Sequence, residues 1–430
     1  MKNSIKILFT IIIVAPLVFS TIACGKIKLI KENIALITDA GSINDKSFNE
    51  LSWNAINAFI KKYPNKHFQK KYFTPQNNND ILNKYVAAAN NYYGTIVVPG
   101  FLHAKNLQEF CKTNKDIFKK QHYIWLDANK FDLANIDNQN VAKIVFDSVV
   151  SGFYAGVSSG IFLNYKMFDQ NEIKVSTWGG GDKQGVVDFM AGFYAGIRYF
   201  NNDKNTLELQ KLFSSIFNND SQNLKPTFKK IKFINPFTGT RIDNHNVGEV
   251  PNIGSADDWF TNFNSQGGMH LAKKAYKLGV NAMMPVAGIQ TMDWLNVIKD
   301  NNDVNRFTIG VDIDMSKVYD SKTFITSALK DLKTPIIDSL TAIKNKHKDL
   351  ETYKKYFSNN VLASSLEWSG IANNQDFPKL SANIMKHFTD NSTTNTKAID
   401  VKEWYKKVVS KNFNNIWMGK EIFKTKLPWE

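Results

Sequence analysis

Apolar and polar positions along this chain follow two alternating periods. Short apolar runs that stop at turn residues lie at 32–41, 94–100, 121–129, 173–181, 231–237, 280–288 and 306–314. Runs of that length, bounded by Gly, Pro, Asn and Asp, predict buried parallel strands. Between them the apolar spacing changes to that of a helix. Residues 47–63 carry Phe48, Leu51, Ile56, Phe59 and Ile60 on one face, and 103–114, 149–163, 186–200, 267–279 and 289–300 read the same way. Small residues inside 149–163 suit close helix packing. Strand-helix alternation of this kind predicts parallel sheets covered on both faces. Six or more such units exceed one compact sheet. The expected fold class is therefore α/β, with two doubly wound parallel-sheet domains joined by a hinge.

Two stretches break the rhythm. Residues 201–225 are polar apart from a short helical piece, 206–217, and 238–258 are rich in turn residues throughout. Beyond about 348 the alternation fades, yet Trp368, Trp404, Tyr405, Trp417 and Trp429 lie there, so that tail is expected to pack against the rest.

The first 24 residues differ in kind. Lys2 and Lys6 precede an apolar run from Leu8 to Ala23 that is interrupted by Pro16 and followed by Cys24-Gly25. The run falls short of the ~20 residues of a spanning helix, which favours a signal peptide. The small residues before Cys24 resemble a bacterial lipobox, with Thr21 where a Leu is usual. On that reading residues 1–23 are removed, Cys24 becomes a lipidated, palmitate-bearing first residue, and 24–33 form a tether. The expected location is the cell membrane, lipid-anchored, on its extracytoplasmic face.

The remaining bulk properties mainly exclude. Apolar residues make up 43% and charged residues 22%, the balance of a folded chain rather than a disordered one. The net charge of +15 comes from lysines scattered over helix faces and loops, so a solvated surface is expected and nucleic acid is not a partner. Cys24 and Cys111 are the two cysteines, too few for a disulfide framework or a cysteine metal site. Cys111 reads as a buried thiol. The glycines of "WGGGDKQG" lack the Lys-Ser/Thr of a phosphate loop, and no hydrolase or metalloprotease motif occurs. No enzyme activity, cofactor or metal is expected.

Candidate chemistry gathers where strands end: Asp39 to Gly41, Pro99-Gly100, Asp127, Gly179 to Gly181, Pro285 to Gly288 and Gly310 to Asp314. Ligands of open α/β sheets bind at such ends. The segment "ITDAGSINDKSFNELSW" resembles the opening strand, turn and helix of the basic membrane protein family of solute-binding lipoproteins, which includes purine-nucleoside receptors. "GFYAGVSSGIF", "WGGGDKQGVVDFMAGFYAGI", "WFTNFNSQGGMHLAKKAYKLGVNAMMPVAG", "FTIGVDID" and "ITSALKDL" follow in family order, together covering about 34–340. Asn44 and Glu50 stand where the family often has Asp and Gln.

The resemblance implies a type I periplasmic-binding-protein-like fold and divides the chain. Residues 34–142 plus about 329–347 form the N-terminal lobe and 143–328 the C-terminal lobe. An insertion lies near 201–252, and 348–430 form an extension. It also implies a monomeric receptor that captures a nucleoside, purine favoured, between the lobes and passes it to an ABC permease. Phe48 and Phe189 would stack on the base, and Asp39, Asn44 and Asp127 would address its edge. Asp312 and Lys330 would hold the ribose, and Gly288 would let backbone approach. Asp45 reads instead as a helix cap, Asp314 as structural and Trp178 as core. A sugar-binding protein on the same scaffold and a surface adhesin are the alternatives.

Overall fold

Strand-forming runs of the chain sort into two sheets, each with helices on its faces. The computed structural model describes the chain apart from residues 1–29, 40, 46, 129–138, 218–226, 247–248, 320–321, 359–362, 390–396 and 411–414. The proposed signal peptide and Cys24 therefore lie outside the described residues.

The first sheet takes β1 (Ile30–Ile37), β2 (Lys70–Phe73), β3 (Tyr93–Pro99), β4 (His122–Leu126) and β5 (Val141–Ile144) in the order β2-β1-β3-β4-β5. All its pairings are parallel. Helices α1 (Phe48–Lys61), α2 (Ile81–Asn90), α3 (His103–Thr113) and α4 (Lys115–Phe118) connect these strands. Two apolar layers cover the sheet, one around Ile56, Phe59 and Ile124, the other around Tyr85, Phe110 and Trp125. Cys111 packs beside the second layer and is half-buried rather than fully buried as its helical context suggested.

The second sheet takes β6 (Ile173–Gly179), β7 (Ile231–Phe233), β8 (Ala282–Val286), β9 (Phe307–Asp312), β10 (Phe324–Lys330) and β11 (Ser369–Ile371) in the order β11-β10-β9-β8-β6-β7. β11 alone runs antiparallel in this sheet. Around it lie α5 (Ser148–Lys166), α6 (Gln184–Asn201), α7 (Thr206–Phe217), α8 (Met269–Lys277), α9 (Thr291–Asp300) and α10 (Met315–Tyr319). α11 (Lys333–Asn345) follows β10, and the tail adds α12 (Leu350–Tyr356), α13 (Lys379–Thr389), α14 (Lys397–Val409) and α15 (Glu421–Lys424).

Four strands escape a reading of apolar runs. β2 is an almost wholly exposed edge, "KKYF", whose burial alternates with nothing. β5 and β11 have only four and three residues. β10 is buried, and its "FITSALK" pattern fits helix and strand alike.

The chain passes between the two sheets three times. It goes from β5 to α5, from β10 to α11, and from Ala363, which bridges to Ile144 in the first sheet, to β11 in the second. The tail is shared between the lobes accordingly. Tyr353, Tyr356 and Phe357 join the core of the first lobe, whereas Trp404, Tyr405 and Trp417 are buried in that of the second. The ring of Trp417 lies 4.9 Å from that of Trp259, and Asp182 accepts the backbone N–H groups of Trp417 (3.1 Å) and Met418 (2.9 Å). Lys402 of α14 pairs with Asp147, the residue before α5, at 2.7 Å.

Helix α5 packs against α6 with backbone close to backbone. Gly152 and Gly156 face Gly192 and Gly196, and a Cβ on any of the four would collide with the opposite backbone. The small residues are thus the condition for two helices to touch main chain to main chain. Gly192→Ala is expected to destabilise the protein by about 1–3 kcal/mol through overpacking. Urea unfolding of the variant, compared with the parent, measures this; an unchanged midpoint would refute it.

Candidate functional site

Carboxyl ends of the strands in both sheets face each other across the cleft. On the first lobe, Asn49 is buried and ties the end of β1 to the start of α1. Its side-chain amide donates to Asp39 Oδ1 (2.9 Å) and to Asp45 Oδ2 (2.7 Å). The Asp45 carboxylate also accepts the backbone N–H groups of Ser47 (2.9 Å), Asn49 (3.0 Å) and Glu50 (3.1 Å). It satisfies the free donors of the first helical turn, the capping role its position implies. Gly100, with φ at +97°, lets the β3 turn approach Asp39: a Cβ there would lie 2.5 Å from Asp39 Oδ2.

Lys330, at the end of β10, occupies the middle of the cleft. Its ammonium donates to Asp127 Oδ2 of the first lobe at 2.9 Å and lies 3.7 Å from Asp312 Oδ1 of the second. The backbone oxygen of Gly185 is 3.5 Å away. Three rings surround the same nitrogen: Phe48 with its centroid at 5.1 Å, Phe189 at 4.9 Å and Phe146 at 5.9 Å. Burial alone would lower the lysine pKa, but Asp127 and Asp312 outweigh it and hold the value above that of a free lysine.

Asp127 and Asp312 share an unusual backbone. Both have left-handed φ angles, +54° and +67°. Such a conformation costs a non-glycine residue on the order of 1–3 kcal/mol, although Asp tolerates it better than most. Each strand thus ends in a kink that turns a carboxylate inward. Gly185, where a Cβ would sit 3.2 Å from Asp127 Oδ2, keeps the α6 terminus close to this carboxylate.

Electrostatics follow from the excess of acids over bases. Burial pushes the Asp312 pKa up to about 6; Lys330 opposes the shift, and Asp127 and Asp45 add to it. Asp312 Oδ1 is buried and accepts no hydrogen bond. Asp188, next to Phe189 on α6, is pushed up to about 8 chiefly by burial, with Tyr405 and Lys330 pulling the other way.

Of the residues expected to form a site, Phe48, Asp127, Phe189, Asp312 and Lys330 come together around one nitrogen. Asp39 lies one step away, joined to Asp45 through Asn49. Asn44 is exposed on the preceding loop, its N–H donating to Ser42 Oγ (3.2 Å). Gly288 has φ at +57°, and a Cβ there would meet nothing within 4 Å. Trp178 is fully buried with its indole N–H on Gln290 Oε1 (3.2 Å), and Asp314 pairs locally with Lys317 (2.9 Å) and Ser316 (2.6 Å). Phe146, Asn49 and Asp188 were not anticipated. Asn49 sits inside the "DKSFN" motif and could have been found there. Phe146 and Asp188 carry no local signal, since only the crossing of the chain and the α6–α14 contact give them their surroundings.

Among the described residues no cluster of three or more His, Cys, Asp or Glu could hold a metal ion, and no helix is long and apolar enough to cross a membrane. Two surface cavities, one beside Phe59 and Lys344 and one beside Arg198 and Arg241, each lie on a single lobe away from the cleft.

Two parallel-sheet lobes, linked by three crossings and facing each other through their strand ends, define a two-domain fold of the type I periplasmic-binding-protein kind. A solved ABC-transporter solute-binding protein from Aeropyrum pernix K1 superposes over 91% of this chain and 90% of its own, with a TM-score of 0.53 at 19% identity. A transcriptional activator of the comK gene from Bacillus halodurans superposes over 83% and 98%, at 0.50 and 11%. These likenesses speak for the fold.

Sequence comparison gives three further likenesses. Residues 31–209, less than half of the chain, match the Bmp family model, described as ABC transporter substrate-binding protein PnrA-like. An uncharacterized lipoprotein of Mycoplasma genitalium is 25% identical over 66% of this chain and 56% of its own length. The nucleoside-binding protein BmpA of an ABC transporter in Lactococcus lactis is 25% identical over 42% of this chain and 46% of its own. The chain thus spans about half the length of these curated relatives.

The raised acids make a prediction about stability. A carboxyl that keeps its proton in the native state beyond the ordinary value of 3.8 stabilises the fold at low pH. That contribution is lost as pH rises through the native pKa. For Asp188 the window runs from about 4 to about 8. Asp188→Asn should therefore lose less stability than the parent between pH 5 and pH 8. Parallel denaturant titrations across that range measure the difference; parallel pH profiles would contradict the assignment.

Proposed function

We propose that this protein is an extracytoplasmic solute-binding subunit that closes its cleft on a nucleoside and delivers it to an ABC permease. One observation carries the reading. Asp312 Oδ1 is buried on a kinked strand end with the Lys330 ammonium 3.7 Å away and no hydrogen bond of normal length, in a cluster that also holds the rings of Phe48 and Phe189. A buried carboxylate oxygen with an ion-pair neighbour but no hydrogen bond keeps an unfilled acceptor site, which favours a donor from the ligand. Ribose hydroxyls supply such donors, and an ionised carboxylate can accept two of them. Aromatic faces on opposite lobes suit a flat base, each stacking contact being worth ~1–3 kcal/mol in nucleic-acid sites. The printed description of the Lactococcus lactis relative as nucleoside-binding supports the same ligand class.

Capture follows from the arrangement. Asp127 and Phe48 belong to one lobe, Asp312 and Phe189 to the other, so a ligand that touches all four gains its full contacts only when the lobes meet. By population shift it stabilises the closed form by the difference of its affinities for the two forms. The resemblance favours a purine base. Lipidation at Cys24 would hold the receptor beside its permease, with membrane attachment provided by the lipid rather than by a spanning helix. No chemical step is part of this reading, and the nucleoside should be recovered intact after incubation.

Calorimetry with adenosine, guanosine, uridine and ribose tests the proposal. Phe48 is only half-buried, so Phe48→Ala should fold and bind the preferred nucleoside about 10- to 100-fold more weakly. Asp312→Asn should lose affinity for the nucleoside and for ribose alike. Unchanged affinity in both variants would remove the site from the cleft, and binding of ribose in preference to every nucleoside would turn the assignment to a sugar receptor.

A further inference from the structure

A second meeting point of the lobes lies at the cleft mouth, apart from the Lys330 cluster. Phe101 follows the Gly100 turn after β3 on the first lobe. Phe263 lies in the loop that leads from Trp259 to α8 on the second. Their ring centroids are 6.1 Å apart with the planes tilted by 51°. Phe263 nevertheless remains 43% exposed, so the contact lies at the surface rather than in either core.

Both rings are presented on rigid supports. Gln290, fully buried, donates to the carbonyls of Asn262 and, at 2.9 Å, Asn264, so it grips the chain on either side of Phe263. Thr261 N–H donates to Gly179 O at 2.9 Å, which fixes the loop to the end of β6. Gly180 gives the ring its seat, for a Cβ there would lie 2.5 Å from it. Across the cleft, Trp125 holds the Phe101 turn by donating its indole N–H to Gly100 O at 2.9 Å.

Position in the sheets gives this contact its leverage. The crossings between lobes cluster at β5, β10 and β11, whereas Phe101 extends from β3 and Phe263 from the loop bridged to β6. With strands ~4.8 Å apart, the β6 end lies roughly 14 Å from β10. Any hinge opening separates this pair more than it separates the residues around Lys330.

We propose that Phe101 and Phe263 form an aromatic latch that sets the closed fraction of the receptor and so acts on ligand affinity as a positioning pair. The inference rests on the cleft being the ligand site, but the latch itself needs no ligand. An aromatic contact of this kind changes a two-state equilibrium roughly 2- to 12-fold.

X-ray scattering of the ligand-free protein, together with calorimetry and stopped-flow release of the preferred nucleoside, tests the latch. Phe263→Ala should keep the parent's melting temperature, enlarge the ligand-free radius of gyration and weaken binding roughly 2- to 12-fold through faster release. Phe263→Tyr, which preserves the ring, should behave like the parent, and Phe101→Ala should reproduce Phe263→Ala. Scattering and release identical in the parent and both alanine variants would overturn the latch. If the parent bound none of the nucleosides offered, the ligand reading would fail, and the scattering comparison alone would still decide the latch.

Discussion

A single buried ammonium organises the cleft. Lys330 is almost fully enclosed, and it remains charged because carboxylates from opposite lobes stand beside it, Asp127 at 2.9 Å and Asp312 at 3.7 Å. Removing one partner of a buried pair costs about 3–5 kcal/mol, so these acids are constrained by the lysine as much as the lysine by them. The kinked ends of β4 and β9 follow from the same requirement. In an extended strand the terminal side chain would project from one face of the sheet, and the left-handed residue redirects the carboxylate at the strand end instead. The three phenyl rings then close around a cation that hydrogen-bonds Asp127 and leaves Asp312 Oδ1 with charge contact but no hydrogen bond.

Much of the scaffold was legible in the residue pattern. Apolar runs ending in turn residues located seven strands, including β7 inside a stretch otherwise read as an insertion, and helical spacing located α1, α3, α5, α6, α7, α8 and α9. Glycine spacing in α5 announced its close partner. What escaped has a physical cause. β2 lies at an edge and keeps its side chains in water, so burial leaves no imprint on its sequence. β5 and β11 are too short for a period. The tail helices are amphipathic, but the fading of alternation said nothing about which lobe each would cover.

Four of the expected site residues, Phe48, Asp127, Phe189 and Asp312, converge on Lys330 because each lies at a strand end or in the first turns of a helix at the same edge, a regularity of open α/β sheets. Asn44 followed the same logic but lies on a loop that sends it outward. Phe146 and Asp188 could not be found in this way. Phe146 belongs to a crossing segment, and the surroundings of Asp188 are set by Tyr405, more than two hundred positions along the chain. Long-range packing decides such residues, and local spacing carries no record of it.

The threefold passage of the chain between lobes has a mechanical consequence. A single linker would allow bending, twisting and sliding; three linkers side by side behave as the spine of a book. Torsion about the long axis would stretch one strand of the spine while compressing another, so it is suppressed, and the page-turning swing survives. Asp147, where one linker enters α5, is also fastened to α14 by Lys402, which ties that linker to the second lobe. The two covers therefore return to the same register each time they shut.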